Sequence, residues 1–420
     1  MTLDLRQDRA LVRAAARSTR YLVVRLEAPD APRRSDRLPV NVALVLDRSG
    51  SMGGSKIRLA KEAVERAVAT LEGRDRFAVV FYDDRIDVVV PSTAATGSAR
   101  SAAREALRAV DARGSTNLFE GWLRGCEQVA LHAGADAVSR TLLLTDGLAN
   151  VGVTDRFELE THAGELRRRG VATSTFGVGH DFDEALLEAM ATAGGGNFYY
   201  IETATQIADF MTSELGEALD VVARDVRLEV GLPAGARLDV LGPERVERIG
   251  GDAWAVAVGD LVACQEREVV LRISFAYGSP GEEADVTVAV RDRDGAFGDG
   301  RAAARWTYAD HAANDRQPRT PEVDRLVARL FAARARMEAV SRNKAGDFRG
   351  AATALTGVAG RIRGYADSDP ELLGLAADLE DEAAHKVSLA MAPAMQKAMY
   401  SNSAYLRRMR EPDGSARRRS

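Results

Sequence analysis

The sequence predicts an α/β fold, a doubly wound and mainly parallel six-stranded sheet, inserted in or followed by an antiparallel β-sandwich, with a C-terminal helical region. Three observations predict it. From about residue 39 to 218, short apolar runs alternate with amphipathic helical patterns, as in βαβ units. Beyond residue 223, apolar and polar residues alternate with period two, which favours half-buried antiparallel strands. After about residue 318, the apolar residues recur at helical spacing.

The same changes of pattern predict the domain boundaries. Residues 20–27 alternate like the later β region, so we expect them to pair into the sandwich, with the α/β domain inserted between its strands. The tail is rich in arginine, and we expect it to be solvated and disordered rather than a nucleic-acid-binding arm. The expected regions are 1–38 (N-terminal strand or strands of the sandwich), 39–220 (α/β domain), 221–312 (β-sandwich), 318–410 (helical region) and 411–420 (basic tail).

Within the α/β domain each element has its own pattern. Continuous apolar runs predict strands buried on both faces, and residues 83–85 are short enough for a hairpin, so one edge strand should be antiparallel. The expected strands are 40–46, 77–82, 87–90, 141–145, 172–178 and 197–201, and the expected helices are 56–70, 99–110, 118–132, 157–169, 183–193 and 205–219.

Composition excludes several classes of protein. The chain has 420 residues, 28% of them charged and 46% apolar, which is ordinary for a globular protein. A net charge of −5 argues against nucleic-acid binding through bulk electrostatics. No apolar run is long enough for a membrane span, and the N-terminus lacks a secretory signal. Cys126 and Cys264 are expected to be buried, reduced thiols. We therefore expect a cytoplasmic protein.

Oxygen-bearing side chains follow the apolar runs at three places. Asp47, Ser49 and Ser51 follow the first strand of the α/β domain, Thr116 lies at a loop-to-helix junction, and Asp146 follows the apolar run 142–144. The carboxyl ends of parallel strands are where open α/β sheets bind ligands. Hard oxygen donors suit small hard cations, and no Cys, His or Met belongs to the set. The sequence therefore predicts a Mg²⁺ site, with Ca²⁺ or Mn²⁺ as alternatives.

This pattern of Asp-x-Ser-x-Ser, then Thr, then Asp resembles the metal-ion-dependent adhesion site of von Willebrand factor type A (VWA) domains, with all five positions filled. The order of domains resembles bacterial, cytoplasmic VWA proteins. The resemblance implies that Ser49, Ser51 and Thr116 coordinate the cation directly, while Asp47 and Asp146 act mainly through water. It also implies that a Glu or Asp of a partner protein completes the coordination.

Two functions remain open from the sequence. The first is a Mg²⁺-dependent protein-interaction module, an adaptor or scaffold in an intracellular complex, with an AAA+ ATPase system as one candidate partner. The alternative is a metal-assisted hydrolase or toxin-like effector that uses the same cation. No histidine lies in the motifs, His180 reads as a loop residue, and the sequence has no P-loop. We therefore expect no enzyme activity.

Overall fold

A computed structural model describes residues 2–31, 37–134 and 136–419. The chain divides into two compact units, Pro32–Val221 and the combination of Met1–Ala31 with Val222–Ser420. We call the first the α/β unit and the second the β/helical unit. The second is built from both ends of the chain, and the first is inserted between them.

The bounds of the elements follow in chain order. The strands are β1 (Thr2–Gln7), β2 (Leu11–Arg13), β3 (Ser18–Glu27), β4 (Val40–Asp47), β5 (Arg76–Tyr82), β6 (Ile86–Ala94), β7 (Val138–Thr145), β8 (Ala172–Val178), β9 (Gly195–Ile201), β10 (Val221–Gly231), β11 (Arg237–Val240), β12 (Arg245–Gly250), β13 (Ala253–Val262), β14 (Glu266–Phe275), β15 (Glu283–Arg291) and β16 (Arg301–Ala309). The helices are α1 (Ser55–Thr70), α2 (Gly97–Arg108), α3 (Leu118–Ala130), α4 (Arg156–Arg168), α5 (Glu184–Ala193), α6 (Ile207–Leu219), α7 (His311–Arg316), α8 (Pro321–Lys344), α9 (Phe348–Ala366), α10 (Pro370–His385) and α11 (Pro393–Arg407).

The α/β unit contains a six-stranded sheet in the order β6-β5-β4-β7-β8-β9. All neighbouring strands are parallel except β5 and β6, which form the expected antiparallel hairpin at the edge. Every residue of β4 and of β7 is buried. Because successive side chains of a strand point to opposite faces, both faces of the sheet are covered. The predicted fold class is confirmed.

Polar side chains set the start of several helices. Each accepts a hydrogen bond from a backbone N–H of the first turn, which would otherwise have no partner within the helix. In the α/β unit these capping residues are Thr96 for α2, Asn117 for α3, Asp155 for α4 and Asp183 for α5. The α3 cap fixes the backbone next to Thr116, one of the predicted site residues.

The β/helical unit contains two sheets, β1-β3-β14-β11 and β12-β13-β10-β15-β16-β2. Their inner faces share one apolar core, so they form a sandwich. β3 pairs antiparallel with β14 along its whole length, with Val23 opposite Val270 and Val24 opposite Val269. The prediction that residues 20–27 pair with the later β region is confirmed.

Helices α8 to α11 complete this unit. Successive side chains of β3 point to opposite faces of the sheet and so enter two different apolar clusters. Val24 faces the sandwich core, while Val23 belongs to a second cluster with Val323, Val327 and Leu330 of α8. The helical region predicted for residues 318–410 contains these four helices, and a break separates α10, which ends at His385, from α11, which begins at Pro393. Proline is well tolerated in the first turn of a helix, which explains where α11 starts.

Two expectations about this unit are wrong. The tail is not disordered over residues 411–419, because the backbone N–H of Glu266 donates to Arg417 O at 2.9 Å and that of Arg419 donates to Cys264 O at 2.8 Å. These backbone hydrogen bonds to residues at or just before the start of β14 order the tail, although its arginine content suggested disorder. Cys264 is only partly buried, whereas Cys126 is fully buried, and both are free thiols. Over the described residues, no helix is long and apolar enough to cross a membrane.

Candidate metal centre

The five predicted site residues lie at the carboxyl edge of the α/β sheet. Asp47 is the last residue of β4, and Ser49 and Ser51 follow in a tight turn that leads into α1. Asp146 directly follows β7, the parallel neighbour of β4. Thr116 precedes the cap of α3. Because β4 and β7 are adjacent and parallel, their last residues meet at one edge of the sheet.

Hydrogen bonds join three of the five side chains directly. Ser49 Oγ lies 3.0 Å from Ser51 Oγ, and Ser51 Oγ donates to Asp146 Oδ1 at 2.6 Å. The Thr116 hydroxyl lies close to this group, beside Gly147. A Cβ on that glycine would lie 3.8 Å from both Thr116 Oγ1 and Ser51 Oγ. No hydrogen bond links Thr116 Oγ1 to another side chain in the described part of the chain. Its hydroxyl is thus available to a ligand.

Asp47 is held in place by hydrogen bonds from neighbouring groups of the protein. Ser49 N donates to Asp47 Oδ1 at 2.7 Å, and Thr145 Oγ1 donates to Oδ2 at 2.8 Å. Burial raises the pKa of the Asp47 carboxyl to about 6, because the cost of desolvating the charge outweighs these hydrogen bonds. Both carboxylate oxygens of Asp47 accept hydrogen bonds from the protein. Asp47 is therefore better placed to contribute negative charge and to shape the site than to bind a cation directly.

Lys56 is a charged group of the site that the sequence did not indicate. It lies in the first turn of α1, and its ammonium forms an ion pair with Asp146 Oδ2, whose side chain is fully buried. One oxygen of Asp146 therefore faces Ser51 and the other faces Lys56. Lys56 was not predicted as part of the site, although its position shortly after Asp-x-Ser-x-Ser, near the start of a helix, could have suggested it.

A buried ion network ties the loops of the site together. The fully buried carboxylate of Asp83 accepts from Arg48 Nε at 3.0 Å and from Arg113 Nε at 2.7 Å. Arg48 stands between Asp47 and Ser49, and Arg113 lies in the loop that leads to Thr116. The flanking arginines keep the pKa of Asp83 below its ordinary value despite its burial. The sequence suggested only a hairpin turn at this position.

Asn150 holds Thr116 from the other side. Its Oδ1 accepts from Thr116 N at 3.0 Å, and the backbone N–H groups of Asn150 and Val151 both donate to Thr116 O at 3.3 Å. The loop after Asp146 therefore fixes the backbone of Thr116. Sequence analysis missed this residue, because a loop asparagine gives no signal by itself.

Close packing beneath the site sets the distance between α3 and the sheet. A Cβ on Gly121 would lie 2.3 Å from Tyr82 Cγ, and a Cβ on Gly125 would lie 2.1 Å from Val45 Cγ2. Only glycine allows this approach at both positions. Tyr82 is fully buried and donates to Leu144 O at 3.2 Å, which links β5 to β7 just below the site.

The residues present fit a hard divalent cation. The converging donors are three hydroxyls and two carboxylates, and the cluster contains no soft ligand. Ser51 is exposed while Asp47, Thr116 and Asp146 are buried, so the group reaches solvent at Ser51. Over the described residues, no cluster of three or more His, Cys, Asp or Glu offers another arrangement for a metal. His180 lies 3.2 Å from Tyr200 Oη and is a loop residue, as expected.

Comparisons with known proteins agree with this architecture. The uncharacterized protein YfbK of Escherichia coli is 33% identical over 201 residues, which are 47% of this chain and 35% of YfbK. This chain thus spans about a third of the length of that relative. The uncharacterized protein sll0103 of Synechocystis is 29% identical over 84% of this chain and 86% of its own length.

Solved structures extend the similarity of fold to nearly the whole chain. A von Willebrand factor type A protein from Catenulispora acidiphila has a TM-score of 0.69 and 21% identity, covering 91% of this chain and 96% of its own. The ArnB paralog VWA2 from Sulfolobus acidocaldarius has a TM-score of 0.61 and 15% identity over 96% and 97%. The family model of the von Willebrand factor type A domain matches residues 41–213, and this part of the chain is a VWA domain.

Proposed function

We propose that this chain is a Mg²⁺-dependent protein-interaction module in which a partner's Glu or Asp completes the coordination of the cation. Ser49, Ser51 and Thr116 would hold the ion directly, and Asp47 and Asp146 would act mainly through water. The bound cation would supply a positive centre at the solvent-facing side. Ca²⁺ and Mn²⁺ are alternatives with the same oxygen preference.

The observation that carries this proposal is the balance of charge around the hydroxyls. Two carboxylates, Asp47 and Asp146, would offset the two charges of the cation, and Lys56 contributes one more positive charge next to Asp146. When Asp47 is ionised, the cation, Lys56 and the two carboxylates together carry one net positive charge. Neutral hydroxyls leave that charge uncompensated, so an anionic partner group is attracted.

The cellular role proposed with this site is that of a cytoplasmic adaptor or scaffold. Two free cysteines with no disulfide support a reducing compartment. An AAA+ ATPase system is the partner class that we propose to test first, by adding ATP to the binding assay below.

The test is affinity capture from the native cell with the full chain as bait, in Mg²⁺ and in EDTA. We expect partners to be retained in Mg²⁺, released by EDTA and lost with Thr116→Ala. Ser115→Ala is the matched control, because this neighbouring hydroxyl is exposed and takes no part in the group. Partners retained equally in EDTA, or equally by Thr116→Ala with its fold intact, would contradict the proposal.

A further inference from the structure

Exposed apolar side chains of the α/β unit are concentrated in the loop after Asp146 and in the first turn of the helix that follows it. In the described part of the α/β unit four large apolar side chains are exposed, and three of them fall within ten residues shortly after Asp146. Leu148 is 56% exposed, Val151 is 36% exposed and Phe157 is 78% exposed. The fourth, Leu131, follows the end of α3. We call Leu148, Val151 and Phe157 the apolar rim.

The backbone places the apolar rim at the same edge of the sheet as the metal ligands. Leu148 follows Gly147, whose Cα is adjacent to the hydroxyls of Ser51 and Thr116. The backbone of Val151 donates to Thr116 O at 3.3 Å. Phe157 lies in the first turn of α4, which starts at the edge where β7 ends.

The opposite side of the centre is charged. Asp84, Arg85 and Arg113 are exposed there, and a Cβ on Gly114 of the Thr116 loop would meet the Asp84 carboxylate. The centre is therefore flanked by an apolar side and a charged side. A partner segment that crosses the centre would meet apolar side chains on one side and charged ones on the other. The surface would therefore favour one direction of that segment over the reverse.

We propose that the apolar rim binds a large apolar side chain that neighbours the metal-binding carboxylate of the partner. The partner is thus a protein segment in which Asp or Glu stands close to Leu, Ile, Phe or Trp. This proposal rests on the proposed function, because it specifies the partner of the same site. Exposed apolar side chains that are grouped and bordered by polar residues mark interaction sites, whereas singly scattered ones do not.

Burial on the rim would contribute affinity that a lone carboxylate lacks. Removing part of a leucine-sized side chain from water changes a binding constant by about tenfold. We therefore expect a peptide with both features to bind about ten times more tightly than the same peptide with Ser at the apolar position.

The experiment is selection of phage-displayed random heptapeptides on the full chain, in Mg²⁺ and in parallel in EDTA. The expected result is Mg²⁺-dependent recovery of sequences that pair an acidic residue with a large apolar one. Acidic sequences without an apolar preference would overturn the inference and leave the proposed function standing. Apolar sequences recovered equally in EDTA would overturn the inference, and no Mg²⁺-dependent sequence at all would overturn both.

Variants separate the rim from the metal. The double variant Leu148→Ser, Phe157→Ser should bind a selected peptide about tenfold more weakly, while its Mg²⁺ affinity measured by calorimetry stays at the wild-type value. Leu131→Ser is the matched control, since α3 leads away from the site by about 1.5 Å per residue. Equal peptide affinity of the double variant and Leu131→Ser would contradict the proposed rim.

Discussion

Replacing Gly125 by alanine tests how α3 supports the candidate site. The new Cβ would lie 2.1 Å from Val45 Cγ2, whereas carbon atoms in contact normally lie about 3.5–4.0 Å apart. Either helix and strand separate by more than an ångström or the Val45 side chain leaves its rotamer, and the cost lies near the upper end of about 1–3 kcal/mol. Alanine recovers about 1 kcal/mol of helix propensity. The expected net loss of stability is about 2 kcal/mol.

The assay is hydrogen exchange of peptides from α3 and β4 in the full chain, read as a free energy of opening. Gly216→Ala is the matched control, because Gly216 also lies in a helix but a Cβ added to it would have no neighbouring atom within 4 Å. We expect this control to gain up to about 1 kcal/mol in α6. Equal protection in the two variants would refute the argument that glycine at position 125 sets the spacing between α3 and the sheet.

Three further predictions follow from buried groups. Asp83→Asn should destabilise the α/β unit by about 3 kcal/mol, since the buried Arg48 then relies on its ion pair with the half-exposed Asp87. Exposed Asp84→Asn, the control, should change stability by less than about 0.5 kcal/mol in chemical unfolding. Glu214→Gln should cost a similar amount by the same measurement, because the buried Glu214 carboxylate pairs with Arg140, which is itself buried. Burial raises the pKa of Cys126 to about 12, so a thiol reagent at pH 8 should modify Cys264 alone in the native chain and both thiols after unfolding; rapid modification of both in the native chain would contradict this.

The strand-end pattern was sufficient to predict the α/β fold and the position of the candidate site. The apolar runs of β4 and β7 are each followed within two residues by an aspartate, and adjacent parallel strands bring such ends to one edge. That is why Asp47 and Asp146, 99 positions apart in the sequence, could be placed together. The alternation of residues 20–27 was likewise sufficient to place β3 with β14.

The supporting groups could not be predicted, because their roles depend on distant partners. Asp83 has the composition of a hairpin turn, and only the fold brings Arg48 and Arg113 to its carboxylate. The contact of Lys56 with Asp146 likewise requires α1 to start beside the end of β7. A clue existed for α3, since two glycines four positions apart, Gly121 and Gly125, indicate a close approach on one helix face.

The tail shows where composition misleads. Its arginines suggested a disordered end, yet Arg417 and Arg419 form backbone hydrogen bonds with Glu266, the first residue of β14, and with Cys264. Arg419 also pairs with Asp30, and Arg417 pairs with Glu411, so much of the positive charge is compensated locally. A count of charged residues does not show which of them form ion pairs. It therefore cannot distinguish an ordered tail from a disordered one.

The most direct test of the central claim is anomalous diffraction from crystals of the full chain grown with Mn²⁺ in place of Mg²⁺. We expect one anomalous peak in contact with the hydroxyl oxygens of Ser49, Ser51 and Thr116, at about 2.0–2.2 Å as for a small hard cation. The peak should be absent from crystals of Asp47→Ala that retain the fold. A peak at another place, or a peak at this place that persists unchanged in Asp47→Ala, would contradict the assignment of the metal centre.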